Sequence, residues 1–238
     1  MKKINILIIL FSIIILQSCQ MKELFFDIDT TDSISSVSVK PLLQLVGEPI
    51  LSLPVGGNYV EEGVLASEVK LGDNDLPYEI VSGNVDVNQK GFYVVKYRAK
   101  NTYNWASTAF RAVLVYGSNP DTYYNIAREY VQAGILGKMQ VTKSSIPGYW
   151  NFSNIFNYNG LALIPAVVAD LGDNIHYEIV PGYNSVYGYY QGSIVRELKT
   201  DGVSTKKFII SIWFVDANGV SKQEEPTEIT WSAPVGTL

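Results

Sequence analysis

Two runs in the second half of the chain set aromatic rings beside amides and glycines. "PGYWNF" carries Tyr149, Trp150 and Phe152, and "PGYNSVYGYYQG" carries Tyr183, Tyr187, Tyr189 and Tyr190. Pro and Gly bound both runs, which predicts loops or strand ends. A core rarely needs so many tyrosines, each with a hydroxyl to satisfy. Exposed rings flanked by Asn and Gln suit sugar binding: the ring face stacks on the apolar C–H face of a pyranose, and amides take its hydroxyls. Protein recognition draws on the same residue types, because Tyr and Trp dominate interface hot spots. The bland alternative makes Trp150 and Phe152 core and the tyrosines ordinary strand residues. These seven positions are the candidate ligand site.

Catalytic patterns are sparse. His176 is the single histidine, so a histidine-based triad or a multi-histidine metal site is not available. It lies in "IHYEIV", opposite in direction to Ile175 on a strand, as a surface or half-buried structural residue. No phosphate-cradling glycine loop occurs. Paired carboxylates hydrolyse glycosides, but Glu61 with Glu62 and Glu224 with Glu225 are adjacent, point apart on a strand, and read as solvated charge. The acidic turns at 72–75, 170–174 and 216–219 offer oxygen ligands to calcium but lack EF-hand spacing. The reading is a protein that is not an enzyme, with no metal site and no cofactor.

The N-terminus carries a different kind of chemistry. Lys2 and Lys3 precede an apolar run from Ile6 to Leu16, followed by Leu16-Gln17-Ser18-Cys19. A basic head and a short apolar stretch make residues 1–18 a secretory signal, too short for a comfortable membrane span. The Leu-x-Ser-Cys ending resembles the lipobox of bacterial lipoproteins. The resemblance implies that Cys19 is lipidated and becomes the mature N-terminus, anchored to a membrane by several acyl chains. Cys19 is the only cysteine, so the mature chain would hold no free thiol and no disulfide. Losing Lys2 and Lys3 shifts the formal net charge from −5 by two, to −7. A mildly acidic chain without a basic run argues against nucleic acid as a partner.

The elements that must position these residues read as β throughout. Residues 19–40 form a polar tether. From Pro41, short runs bounded by Gly, Asn or Pro read as strands. In "GFYVVKYRAKN", Tyr93, Val95, Tyr97 and Ala99 share one face and Lys96 and Arg98 the other, the alternation of a half-buried strand. "GGNYVEEGVLASEV" followed by "GFYVVKYRAKNTYNWASTAFRAVLVY" resembles the bacterial Ig-like domain of Bacteroidota surface proteins, a type also found in an insecticidal crystal toxin. Tyr59, Glu61, Gly63, Val64 and Ala66 match its first motif. Gly91, Tyr93, Val95 and Tyr97 match the second, and Arg111, Val113 and Val115 the third. Where that family has a turn glycine, this chain has Tyr103-Asn104-Trp105, which predicts a differently shaped turn. The resemblance implies an Ig-like β-sandwich over 41–117 and says little about function.

"GSNPDT" at 117–122 marks a boundary. After it, "YYNIAREYVQAG" has a brief helical look, with a strand equally open. The rest reads as strands and hairpin turns, so 122–238 is a second all-β domain, sandwich or barrel-like. Its "PGYWNFSNIFNYNG" resembles the C-terminal module that accompanies the Ig-like domain in Bacteroidota lipoproteins. "LGDNDLPYEIVSGN" at Leu71 and "LGDNIHYEIVPGYN" at Leu171 share a pattern. Their flanks differ, so the pattern is turn chemistry used twice, in two different β domains.

Together these readings give an all-β, lipid-anchored envelope protein on the periplasmic or outer face of the outer membrane. The resembling lipoproteins imply a non-catalytic, glycan-binding accessory of polysaccharide uptake, with polysaccharide or oligosaccharide as partner. The alternative is a structural or adhesive surface protein that uses the aromatic surface against other envelope proteins.

Overall fold

A computed structural model describes residues 40–68, 76–132, 137–156, 163–197, 207–216, 221 and 225–233. The signal segment, Cys19, the tether up to residue 39, the turn at 72–75, residues 217–219 and Glu224 lie outside them. The described chain is all-β. Strand β1 (Leu42–Leu45) pairs antiparallel with β3 (Val64–Ser67). Against this pair stands a four-stranded sheet in the order β2 (Ile50–Pro54), β6 (Ala106–Tyr116), β5 (Gly91–Lys100), β4 (Tyr78–Ser82). The β2–β6 pair is parallel and the other two are antiparallel.

The period-two pattern of β5 builds the core of this sandwich. Val95, Tyr97 and Ala99 are buried, and Val64, Leu43, Leu45, Val85 and Ala109 pack around Val95 and Tyr97. Arg111 crosses this core with no side-chain exposure. Its Nε lies 3.1 Å from Glu61 Oε1, and its Nη2 donates to the carbonyls of Val46 (2.5 Å) and Gly63 (3.3 Å). Tyr59 Oη also donates to Glu61. The expectation that Glu61 and Glu62 are both solvated strand residues is therefore corrected for Glu61. Residues 58–63 are not strand, and Glu61 closes a half-buried lock on a buried cation. In the β5–β6 turn, Asn104 takes φ 64°, a left-handed conformation open to Gly and, among other residues, chiefly to Asn and Asp. Asn101 Oδ1 accepts from the N–H groups of Tyr103 and Trp105, which closes the turn.

A short 3₁₀ turn, Pro120–Thr122, capped by Asn119, leads out of β6. The stretch with the helical look becomes strand β7 (Arg128–Val131). It opens a closed, eight-stranded up-and-down barrel continued by β8 (Lys138–Lys143), β9 (Tyr149–Phe152), β10 (Ala166–Asp170), β11 (His176–Asn184), β12 (Gly188–Glu197), β13 (Lys207–Val215) and β14 (Thr227–Ser232). Each strand pairs with the next, and Ser232 against Val131 closes the ring. Closure removes the free edges that a sandwich would leave.

Side chains fill the barrel interior. Phe208 lies at its centre, with ring centroids 4.8 Å from Tyr130, 5.7 Å from Tyr177 and 5.8 Å from Phe152. An eight-stranded barrel is just wide enough for such filling. Outward positions carry Lys138, Gln140, Thr142, Glu178, Gln191 and Glu197, the inverse of the apolar belt that a lipid-facing barrel needs. The described residues from 40 onward belong to one compact unit, with barrel strand β11 in contact with β5 and β6.

Candidate functional site

Strand β9 shows why most of the predicted aromatic surface is not a surface. Successive residues of a strand point to opposite faces. Trp150 and Phe152 point into the barrel, while Tyr149 points out towards the sandwich. All three are at most 4 % exposed. Trp150 Nε1 donates to Asp170 Oδ2 at 3.2 Å. Burial raises the Asp170 carboxyl above its ordinary range, against hydrogen bonds from the Gly172 N–H and Trp150. Tyr190 is 8 % exposed and donates to the Pro165 carbonyl at 3.0 Å. The half-buried Tyr187 caps the barrel core, edge-on to Phe156 and tilted against Phe214. The expectation of exposed rings is thus corrected for Tyr149, Trp150, Phe152 and Tyr190. Their hydroxyls and indole find partners inside the fold, which is how a core accommodates them. Of the seven positions, Tyr183 stands in solvent, at 63 % exposure.

Tyr149 and Tyr189 belong to the joint between the two β units. Tyr149 Oη donates to the Leu51 carbonyl at 3.0 Å, and its ring packs with Leu114 and Ala169. Next to it, Gly148 has φ 78°, and a Cβ there would meet Leu114 Cδ2. Tyr189 Oη accepts from the Thr108 N–H at 3.3 Å, and its ring lies edge-on to Phe110 at 6.0 Å. The ring of Tyr183 in turn lies 5.0 Å from that of Tyr189.

Beside this joint runs a groove of about 400 Å³. Its sandwich wall is Phe92, Val94, Lys96 and Phe110 with Ser82 at the end of β4; its barrel wall includes Glu178, Gln191, Ser193 and Trp213. Trp213 and Gln191 are direct cross-strand partners on the outer barrel face, as are Glu178 and Ser193. Lys96 Nζ lies 5.9 Å from the centre of the Phe110 ring. Burial and the charge of Arg98 lower the Lys96 ammonium, and burial raises the Glu178 carboxyl. Among the described residues these two form no ion pair with each other. The groove therefore sets half-buried rings beside an amide, hydroxyls, one carboxylate and one ammonium.

Sequence reasoning missed Trp213, Phe92 and Phe110 because each sits in an otherwise regular strand. A signal existed: Phe92 and Phe110 occupy the face of the sheet that Lys96 and Arg98 made look solvated. That face is half-covered because the barrel packs on it. The second acidic turn holds its own chain. Asp173 accepts from the N–H groups of Ile175 and His176 and pairs with His176 Nδ1 at 2.6 Å. Burial opposes ionisation of Asp173, but these hydrogen bonds win and keep its carboxyl below the ordinary range. Among the described residues no group of three or more His, Cys, Asp or Glu could hold a metal ion. No helix among them is long and apolar enough to cross a membrane.

No curated protein matches the chain. Among solved structures it is similar to the lipoprotein BT2262 from Bacteroides thetaiotaomicron, at 17 % identity and a TM-score of 0.31, over 81 % of this chain and 100 % of that one. Residues 43–115, from β1 to the end of the core of β6, match the family described as "bacterial surface protein, Ig-like domain". That match agrees with the sandwich found there and fits a place in the cell envelope.

Proposed function

We propose that this chain is a lipid-anchored envelope protein that binds a polysaccharide or oligosaccharide in the groove beside the joint, without catalysing a reaction on it. The observation that carries the reading is Trp213 beside Gln191 on the barrel wall, faced by Phe92 and Phe110 of the sandwich. Rings for pyranose faces and amide, hydroxyl and charged groups for its hydroxyls meet in one concave place, the usual make-up of a small-molecule site. The joint at Tyr149 and Tyr189 holds the two walls in fixed relation, so little ordering entropy is lost on binding. Lipidation of Cys19 followed by a polar tether would hold the groove off the membrane.

The test is affinity-gel retardation and tryptophan fluorescence of the full chain in detergent against xylan, galactomannan, polygalacturonate, chondroitin sulfate and mucin. Trp213→Ala abolishes retardation if the reading holds, while Tyr183→Ala tests the exposed ring separately. Retention by none of the polymers would end the glycan reading. Cys19→Ser in the producing cell moves the protein out of the membrane fraction if Cys19 is the anchor.

The adhesive reading has its own support in β4. Tyr78, Ile80 and Val81 are exposed, and among the described residues the outer edge of β4 pairs with no strand. Such an edge can accept a strand from another protein. Crosslinking of intact cells through a photoreactive residue at Ile80 would reveal such a partner.

A further inference from the structure

Strand β11 carries a bulge at Pro181, and this bulge belongs to two grooves at once. The register passes from Ile179 opposite Gly192 to Gly182 opposite Tyr190, so Val180 and Pro181 are both placed outside the ladder between them. Pro181 lines the groove beside the joint and also a second one, of about 550 Å³, on the barrel wall. The second groove is lined by Gln140, Thr142, Asn151 and Ser153 from the β8–β9 side and by Pro165, Val167 and Val180 from the β10–β11 side. No lining residue of this second groove carries an ionisable charge near neutral pH, whereas the first holds Lys96 and Glu178.

The outer faces connect in register. Thr142 is opposite Asn151, and Asn151 is opposite Val167. One step further, Val168 pairs with Ile179, which sets Val167 beside Val180. Beyond Pro181, Glu178 is opposite Ser193, and Gln191 is opposite Trp213. We infer that the two grooves form one track across β8 to β13, and that the ligand is an extended glycan chain rather than a single sugar or a disaccharide. The inference rests on the glycan reading of the first groove. Neighbouring strands lie ~4.8 Å apart, so five such steps make a track roughly 24 Å long around the wall. That length asks for several sugar units. Its chemistry divides accordingly: the Trp213 end grips one unit by stacking and charge, and the Asn151 end takes neutral hydroxyls of later units through amide and hydroxyl groups.

The experiment uses the full chain in detergent and size-fractionated ladders made by partial hydrolysis of the same five polymers. Affinity is measured by calorimetry as a function of chain length. The expected result is affinity that climbs with length and levels off only after several units. The double variant Thr142→Ala, Asn151→Ala alters two exposed side chains of the outer wall, so the barrel core is untouched. It lowers affinity for long chains by about tenfold, the size of one or two lost hydrogen bonds, and leaves the shortest binding fragment unchanged. Equal affinity for short and long fragments, with no effect of the double variant, overturns the track and leaves the glycan reading standing. Failure of every fragment and every parent polymer to bind overturns both.

Discussion

Ser82 and Pro181 stand at matching positions of the repeated Tyr-Glu-Ile-Val pattern and line one groove from its two walls. Both copies bulge there. In β4 the register steps from Ile80 opposite Tyr97 to Ser82 opposite Lys96, and in β11 the shift falls between Ile179 and Gly182. The pattern thus encodes a strand that kinks before a glycine, used once in the sandwich and once in the barrel. No wider likeness connects the two sheets, which differ in strand number and in closure. A bulge bends its strand and re-aims its side chains, and here both bends border the proposed ligand site.

The glycines after the bulges are required for different reasons, which makes them separable. Gly83 has φ 107°, and a Cβ there would run into the backbone of Val94 and Val95. Gly182 makes room for the ring and hydroxyl of Tyr190. Gly83→Ala should destabilise by about 1–3 kcal/mol through backbone strain. Gly182→Ala should instead push Tyr190 off the Pro165 carbonyl, changing the barrel-wall groove. Urea denaturation of both variants, with near-ultraviolet circular dichroism of the tyrosines, distinguishes them: the tyrosine signal changes in the second and not in the first.

Tyr149 couples the sandwich to the barrel, so its loss should change how the chain unfolds as well as how easily. Tyr149→Phe removes one hydrogen bond, to Leu51, and should cost about 1 kcal/mol with a single transition retained. Tyr149→Ala empties the packing against Leu114 and Ala169 and should cost about 3–5 kcal/mol. With the joint opened, thermal unfolding followed by calorimetry should split into two transitions. A single transition in the alanine variant would mean that the remaining contacts of β11 with β5 and β6 suffice.

These positions show which parts of the molecule were legible in the residues. Alternation in β5 identified its core face, because Val95 and Tyr97 are apolar at every second place. Pro and Gly bounded the aromatic runs, but they could not say whether a ring between them points in or out. Trp150 and Tyr149 are neighbours in one strand and go to opposite faces, and both are buried because the outer face is covered by another unit. That covering is a tertiary fact with only a faint local trace, Phe92 and Phe110 among charged neighbours. Barrel closure was equally hidden, since β7 and β14 meet across the whole length of the domain. Trp150→Ala, which composition alone would recommend as a binding probe, removes a barrel strut bonded to Asp170 and would report folding instead.

Glu178 is held in its groove against its own preference. Burial raises its carboxyl above the ordinary glutamate range, so the folded chain binds that proton more tightly than the unfolded chain. The sign follows: the contribution of Glu178 to stability is greatest below the ordinary value and falls as pH rises through the raised one. Glu178→Gln should therefore raise the unfolding midpoint slightly at neutral pH and leave it unchanged in acid. A residue that costs stability in a concave site is expected where function retains it. The same variant should then weaken retention of any polymer that binds; a more stable protein with unaltered binding would remove Glu178 from the ligand site.

Glu61 works in the opposite direction. Burial opposes its ionisation, but hydrogen bonds from Tyr59 and the Gly63 N–H, together with the nearby Tyr97 hydroxyl and the Arg111 charge, outweigh burial and hold its carboxyl below the ordinary range. Its contribution to stability is therefore fully present above the ordinary glutamate value and is lost as pH falls through the lowered folded value. The partners are unequal: the Arg111 side chain has 0 % exposure and that of Glu61 has 22 %. Removing the acid strands a guanidinium that has no route to water, so Glu61→Gln should cost about 3 kcal/mol at neutral pH. Arg111→Met leaves a carboxylate that still holds Tyr59 and can reach solvent, and should cost less. Urea unfolding measured from neutral pH down into the acid range should show wild-type stability dropping towards that of Glu61→Gln below the ordinary glutamate value. Parallel curves for the two proteins over that whole range would mean that the Glu61 charge contributes nothing and that the cost arises from packing alone.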